Sequence, residues 1–173
     1  MAANSSDVDI CRLSDDVFRK RQWAITRIQE TVARFGKDKV YAAVSGGKDS
    51  IAVVSLMKEA MGENSLTLIH NEHKGENVSH VPWPMLIVKA PKNIYVTAFL
   101  DLVHLECQID GTRRDEDKLV RYDGVEIHRS KMPGDFTESG VWGLAVLYIL
   151  VDWTEADVYE YLKWKELPMP AAS

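Results

Sequence analysis

The six residues Ser45-Gly46-Gly47-Lys48-Asp49-Ser50 constrain this chain more than any other stretch. They separate a strand-like run, Lys39-Val40-Tyr41-Ala42-Ala43-Val44, from an apolar, helix-like run, Ile51 to Met61. A strand that bends through small residues into a helix is the repeating unit of a parallel α/β sheet. The same bend is an anion cradle. Adjacent glycines allow a sharp turn and close approach of the backbone to a ligand. The first N–H groups of the following helix point into the turn, and the helix dipole favours negative charge there. Lys48 adds a point charge, and the hydroxyls of Ser45 and Ser50 add donors. The loop is not a Walker A motif, because Ala42 and Asp49 stand where that motif needs glycine and Ser or Thr.

Periodicity along the rest of the chain agrees with such a sheet. Residues 1–14 are small and polar and are expected to be disordered. Helical spacing predicts a helix from Asp15 to Phe35, with Phe18, Ile25, Ile28, Val32 and Phe35 on one face and Gly36 as its stop. That face is expected to pack on the domain; the alternative is a homodimer contact. Strands are predicted at 39–44, 65–70, 85–88, 106–110 and 147–151, and helices at 51–61, 94–104, 116–121 and from Thr154 onward. Thr154 and Asp157 have capping-box character, and Pro168 and Pro170 end regular structure, leaving a tail at 168–173. Residues 71–83 and 123–140 read as loops. The expected fold class is therefore α/β: a three-layer α/β/α, doubly wound, mostly parallel five-stranded sheet. One nucleotide-binding domain spans 37–167, behind an N-terminal helix at 15–36. Ligands of such sheets lie outside the carboxyl ends of the strands, where the glycine loop, His70, Asn71 and Gly111 to Arg114 would fall.

Two further runs add chemistry. In Gly111-Thr112-Arg113-Arg114-Asp115-Glu116-Asp117-Lys118, a glycine at a strand end precedes paired arginines, whose planar forks match phosphate or sulfate. The run Leu150-Val151-Asp152-Trp153-Thr154-Glu155-Ala156-Asp157-Val158-Tyr159 reads as buried strand, cap and amphipathic helix, with Trp153 in the core.

In this order the three runs resemble the phosphoadenosine phosphosulfate (PAPS) reductase family of the PP-loop, adenine nucleotide alpha-hydrolase-like superfamily. The family pattern is Ser-Gly-Gly-Lys-Asp-Ser, then Gly-Xaa-Arg-Arg-Xaa-Glu, then Asp-Trp-Thr-Xaa-Xaa-Asp-Val-Trp-Xaa-Tyr, and the resemblance covers residues 38 to 165. Tyr159 stands where the family often has Trp. The resemblance implies a Rossmann-like fold and an adenine nucleotide ligand, ATP or PAPS, acted on at its α-phosphate or sulfate. Ser45, Gly46, Gly47, Lys48, Asp49 and Ser50 would hold the pyrophosphate or phosphosulfate. Gly111, Arg113 and Arg114 would meet the same anion, with Lys48 and Arg114 as the catalytic charges. Mg²⁺ accompanies the phosphates in ATP-using relatives.

Departures from the pattern shape the functional expectations. The family's reductases carry a catalytic cysteine in a Glu-Cys-Gly-Leu-His segment that this sequence does not contain. Sulfonucleotide reduction passes through a cysteine thiosulfonate, so the thiol would come from Cys11 or from a protein partner. Cys107 lies on a predicted strand and is expected to be buried. Paired cysteines are absent, so no iron–sulfur cluster is expected. Where the family has His-Val-Asp-Thr-Gly, this chain has His70-Asn71-Glu72-His73-Lys74-Gly75, with Glu72 the candidate for the nucleoside-binding carboxylate. The alternative function is a nucleotide-binding subunit that works with a partner supplying the second half of an active site, like the small subunit of sulfate adenylyltransferase or a DNA phosphorothioation component.

Composition narrows the remaining classes. A chain of 173 residues with 46% apolar residues suits one domain with a true core. A net charge of -5 provides no field for nucleic acid, so direct nucleic-acid binding is not expected. No apolar run reaches membrane-spanning length and the start has no signal-peptide pattern, so a cytoplasmic protein with reduced thiols is expected. His70, His73 and His80 are too irregularly spaced for a metal reading, and no metal site is expected.

Overall fold

The computed structural model describes residues 12–62, 66–72, 77–89, 103–140 and 143–170. Helix α1 spans Asp15–Phe35. The Ser14 side chain accepts from the Val17 N–H at its start, Asp15 and Asp16 sit in the first turn, and Gly36 closes it with an N–H donated to Val32 O. Its buried positions are Val17, Ala24, Ile28 and Thr31, while Phe18 is 49% exposed. Of the expected face, Ile28 is buried and Ile25, Val32 and Phe35 pack against the core, so only Phe18 departs from it. Of the expected disordered start, residues 1–11 lie outside the described residues.

The sheet follows as β1 (Val40–Ala43), β2 (Leu68–Asn71), β3 (Leu86–Val88), β4 (Cys107–Asp110), β7 (Phe136–Thr137) and β8 (Ala145–Tyr148), in the order β3-β2-β1-β4-β8-β7. The first five are mutually parallel; β7 joins β8 antiparallel, with Phe136 opposite Leu147. The fold class is the expected α/β with a mostly parallel sheet, and short β7 makes six strands where five were counted. Helix α2 (Lys48–Met61) follows β1, and α3 (Glu155–Trp164) follows β8. The expected capping box of α3 is present: Thr154 accepts from Asp157 N–H, and the Asp157 carboxylate accepts from Thr154 N–H at 2.7 Å.

Side chains alternate across the strands as parallel pleating requires. Val40, Ala42, Val44, Cys107, Ile109 and Leu147 face the three helices in the main core. Tyr41, Ile69 and Leu105 face the other way. Farther along that second face a hairpin covers the sheet: β5 (Leu119–Tyr122) and β6 (Val125–His128) bring Tyr122 over Val146, Tyr148 and Val151. This corrects two expectations. Residues 116–121 form a turn and β5 rather than a helix, and 123–140 contain β6, a 3-10 turn at Arg129–Lys131 and β7 rather than loop alone. Asp123 and Gly124, at φ 48° and 77°, form the two-residue turn that matches strand twist. The apolar run at 147–151 is also divided: β8 ends at Tyr148, and Ile149 to Val151 are buried in a turn. The predicted helix at 94–104 falls largely on residues outside those described.

A half-buried charge network ties the helices together. Glu59 accepts from Arg21 of α1 at 2.8 Å, pairs with Lys165 at 2.9 Å and accepts from the Tyr161 hydroxyl at 3.0 Å. Burial acts to raise the Glu59 carboxyl, but these three donors outweigh it and hold it below its ordinary 4.5. A carboxylate lowered in the folded state contributes stability that is present above its unfolded value and is lost as pH falls through the folded one. Unfolding free energy should therefore fall as pH drops below about 4.5. In Glu59→Gln that dependence should be shallower, as read by urea denaturation at several pH values. An unchanged pH slope in the variant would remove Glu59 as its source.

Candidate functional site

Strand order alone puts two motifs at one point. Chain connections from β1 run one way to β2 and β3, while β4 and β8 lie on its other side, so the switch falls between β1 and β4. Open α/β sheets bind ligands in the crevice at that switch. The loop after β1 is Ser45-Gly46-Gly47, and the loop after β4 is Gly111 to Arg114. They touch: a Cβ built on Gly111 would lie 3.2 Å from the Asp49 backbone, so glycine is what lets the end of β4 approach the start of α2.

The glycine bend has the character expected of a cradle. Gly46 has φ 87°, a left-handed conformation that a side chain resists. Gly47 is the N-cap residue of α2 and supplies no side-chain cap. The first-turn N–H groups of Lys48, Asp49 and Ser50 therefore carry the helix's positive end without a capping oxygen. Two other loop amides are engaged locally. Gly46 N–H donates to Ser50 Oγ at 3.1 Å, and Ser50 Oγ donates to Gly47 O at 2.8 Å. Gly47 N–H donates to Ser45 Oγ at 3.3 Å, a longer bond at an exposed position. Ser50 is thus buried inside the turn, whereas Ser45 sits at its surface.

Charges around the cradle form one connected network that joins all three sequence motifs. Arg113 is buried, with 4% of its side chain exposed; it is ion-paired to Asp49, and to Asp115 at 2.8 Å. Asp115 also accepts from the backbone N–H of Glu155 at 2.9 Å. The Glu155 carboxylate pairs with Lys48 at 3.1 Å, and Lys48 lies 5.7 Å from the Tyr159 ring centre. Burial lifts the Asp49 carboxyl above its ordinary 3.8 against the pull of Arg113 and Lys48. Burial also opposes the charge on Lys48, yet Glu155 and Asp49 hold its ammonium above the ordinary 10.5. Arg114 turns elsewhere: its Nε donates to Met132 O at 2.9 Å and its guanidinium pairs with Asp152.

The neighbouring cavity is the second part of the site. A cleft of about 520 Å³ lies at the ends of β2 and β3, lined by His70, Glu72, Asn77, Val78, Trp83 and Lys89 among others. Val78 also packs against Gly46, so cleft and cradle adjoin. Glu72, the candidate nucleoside carboxylate, lines the cleft and pairs with Lys89 at 2.9 Å. His70 is buried, with Nδ1 2.6 Å from Val44 O, and His80 Nε2 lies 2.6 Å from Gly46 O. His73 lies outside the described residues. Among the described residues no group of three His, Cys, Asp or Glu side chains is placed to hold a metal, and no helix is long and apolar enough to cross a membrane. Cys107 is fully buried and its thiol is pushed up to about 12 by burial, so it is no nucleophile. Cys11 lies outside the described residues.

Sequence reasoning placed the loop and the arginine pair but missed the partners of both. Glu155 and Tyr159, which hold Lys48, stood inside a run read as purely structural. The signal was available in its position: the N-terminus of a helix that follows the strand next to β4. His80 carried no signal, because its contact with Gly46 spans 34 residues.

No family model matches the sequence, and no curated protein matches it. Solved structures do match, at low identity. FMN adenylyltransferase from Candida glabrata, in complex with FAD and inorganic pyrophosphate, superposes with a TM-score of 0.66 and 12% identity over 93% of this chain. This chain spans only 63% of that enzyme's length. NH3-dependent NAD synthetase from Campylobacter jejuni matches with a TM-score of 0.56 and 14% identity, over 89% of this chain and 75% of that one. PAPS reductase from Candida auris, as its phosphate complex, matches with a TM-score of 0.52 and 10% identity, over 91% and 90% of the two chains. With its strand order and its glycine bend between β1 and α2, the chain shares with these structures one α/β, Rossmann-like fold built on a mostly parallel sheet.

Proposed function

We propose that this chain binds ATP and transfers its adenylyl group. The polyphosphate lies in the Ser45–Ser50 cradle and the nucleoside in the cleft beside Glu72 and Trp83. The start of α2 at the sheet's switch point, with no side-chain cap at Gly47, carries this reading, because its amides and the helix dipole favour an anion there. A cleft of about 520 Å³ has the size of small-molecule sites. Candida glabrata FMN adenylyltransferase supports the choice of ligand: one structure of it is described with FAD and inorganic pyrophosphate, another with ATP.

In the reaction an acceptor oxygen attacks the α-phosphorus, the bond to the bridging oxygen breaks, and pyrophosphate leaves with the electron pair. Catalysis is then electrostatic, through amides and cations aimed at the departing charge. Lys48 can exchange Glu155 for a phosphate oxygen, since both contacts are simple ion pairs. Arg114, in the turn after β4, is the second cation once its guanidinium leaves Asp152 for a phosphate oxygen. Arg113 serves from behind, holding Asp49 and hence the first turn of α2. Asp49 and Glu155 flank Lys48 and suit a Mg²⁺ that arrives with the nucleotide, since that ion needs only one or two carboxylates besides phosphate oxygens.

A second reading, sulfonucleotide reduction, is favoured by the three motifs and by the 90% coverage of the Candida auris reductase. It needs a thiol other than buried Cys107, from Cys11 or a partner. A third outcome is a nucleotide-binding subunit whose partner completes the site. One experiment separates them: the protein is incubated with ATP, Mg²⁺ and FMN, and separately with PAPS and a dithiol. Pyrophosphate release in the first mixture supports adenylyl transfer. Sulfite in the second supports the reductase. Calorimetric ATP binding without either product supports the subunit, and no binding of either nucleotide overturns the site.

A further inference from the structure

An anion cradle works only if its carbonyls face outward. In a trans peptide the C=O and N–H bonds lie in one plane and point in opposite directions. Whatever fixes the Gly46 carbonyl outside the cradle therefore aims the Gly47 N–H into it. The Gly46–Gly47 peptide is flanked by two residues without a Cβ, so its own torsions do little to prevent the plane from turning over. An external hold is present. His80 Nε2 lies 2.6 Å from Gly46 O. A carbonyl only accepts, so Nε2 carries the proton and donates.

The imidazole is itself held. Asn77 Oδ1 accepts from Ser79 N–H at 2.9 Å, and Val78 O accepts from Val81 N–H at 3.0 Å, folding residues 77–81 into a compact turn. That turn packs tightly on the bend: a Cβ on Gly46 would stand 3.2 Å from Val78 Cγ1 and 3.3 Å from His80 Cε1. Two residues upstream the same device recurs, with His70 Nδ1 2.6 Å from Val44 O. Two imidazoles thus take the carbonyls at either end of the bend's first half.

We infer that His80 is a positioning residue of the cradle: it fixes the Gly46–Gly47 peptide so that the Gly47 N–H, which donates to Ser45 Oγ at 3.3 Å here, stays on the cradle side, where a bound phosphate can take the place of that hydroxyl. This rests on the nucleotide-binding reading above. His80 is an exposed residue, so its replacement spares the core. The test uses the full chain with inorganic pyrophosphate as probe, in titration calorimetry, on wild type, His80→Ala and His80→Gln. Loss of one neutral hydrogen bond should weaken pyrophosphate binding about 5-fold in His80→Ala. Glutamine can donate to the same carbonyl, so His80→Gln should stay within about 2-fold of wild type. The residual dipolar coupling of the Gly47 amide, which reports bond direction, should change in the alanine variant and not in the glutamine variant. A merely structural role would not be rescued by glutamine at that one amide. Equal pyrophosphate affinity in wild type and His80→Ala, or an unchanged Gly47 coupling, overturns the role of His80 and leaves the nucleotide reading standing. A wild-type chain that binds neither pyrophosphate nor ATP overturns the nucleotide reading and this inference with it.

Discussion

Gly47→Val should abolish ATP binding while leaving the protein folded. Gly47 has φ -75° and ψ 164°, a conformation that valine adopts readily. A Cβ there would meet only Ser45 Oγ, at 3.5 Å, so nothing in the protein resists the new side chain. Gly47 supplies no side-chain cap, and the loss to stability should stay under about 1 kcal/mol. The branched methyls would instead project into the cradle and keep phosphate oxygens from the first-turn amides. Losing two charge-assisted hydrogen bonds costs at least about 3 kcal/mol, or about 100-fold in affinity. Calorimetric titration with ATP reads the affinity, and thermal unfolding checks the fold. A valine variant that binds ATP like the wild type would show that the nucleotide lies elsewhere.

The second large effect is on stability. Arg113→Ala should destabilise the fold by about 3 kcal/mol, the lower end of the cost of breaking a buried ion pair, since Asp49 keeps 22% of its side chain exposed. Removing the guanidinium strands Asp49, whose carboxyl burial already raises, and leaves Asp115 without its cation. The start of α2, the end of β4 and the start of α3 would lose their common tie. The double variant Asp49→Asn, Arg113→Met should recover much of the loss, because it removes the stranded charge as well. Adjacent Arg114 has 29% of its side chain exposed. Arg114→Ala should spare stability and weaken nucleotide binding by about 2 kcal/mol, if its cation turns to the phosphates. Urea unfolding of the single and double variants checks the first claim. A loss below about 1 kcal/mol in Arg113→Ala would mean that the pair is no tie at all.

The contrast between the two arginines shows where reading a sequence stops. Both stand in one Gly-Thr-Arg-Arg run and both offer the same chemistry to an anion. Only the packing separates them: one points back under the first turn of α2, the other out towards Asp152 and Met132. The hairpin was legible in part. Asp123-Gly124 between Tyr122 and Val125 is a two-residue turn signal, yet its flanks are short and charged, and without the face of β8 that they cover they read as helix and loop. β7 has two residues and exists only because β8 offers it an edge.

What the amino-acid order determined on its own is local. Apolar runs of four or five residues, Ser14 and Thr154 at helix starts, Gly36 and Gly62 at helix ends and the double glycine after β1 each act on neighbours a few positions away. From these came the α/β class, the helices α1, α2 and α3, and the place of the glycine bend. Tertiary structure decided the rest: that β1 and β4 lie side by side, that Lys48 meets Glu155 and Arg113 meets Asp49, and that an imidazole from residue 80 braces the bend. Those contacts join segments 34 to 107 positions apart. Their geometry follows from how the sheet's strands are ordered and how its helices pack, and no short stretch of sequence carries that information.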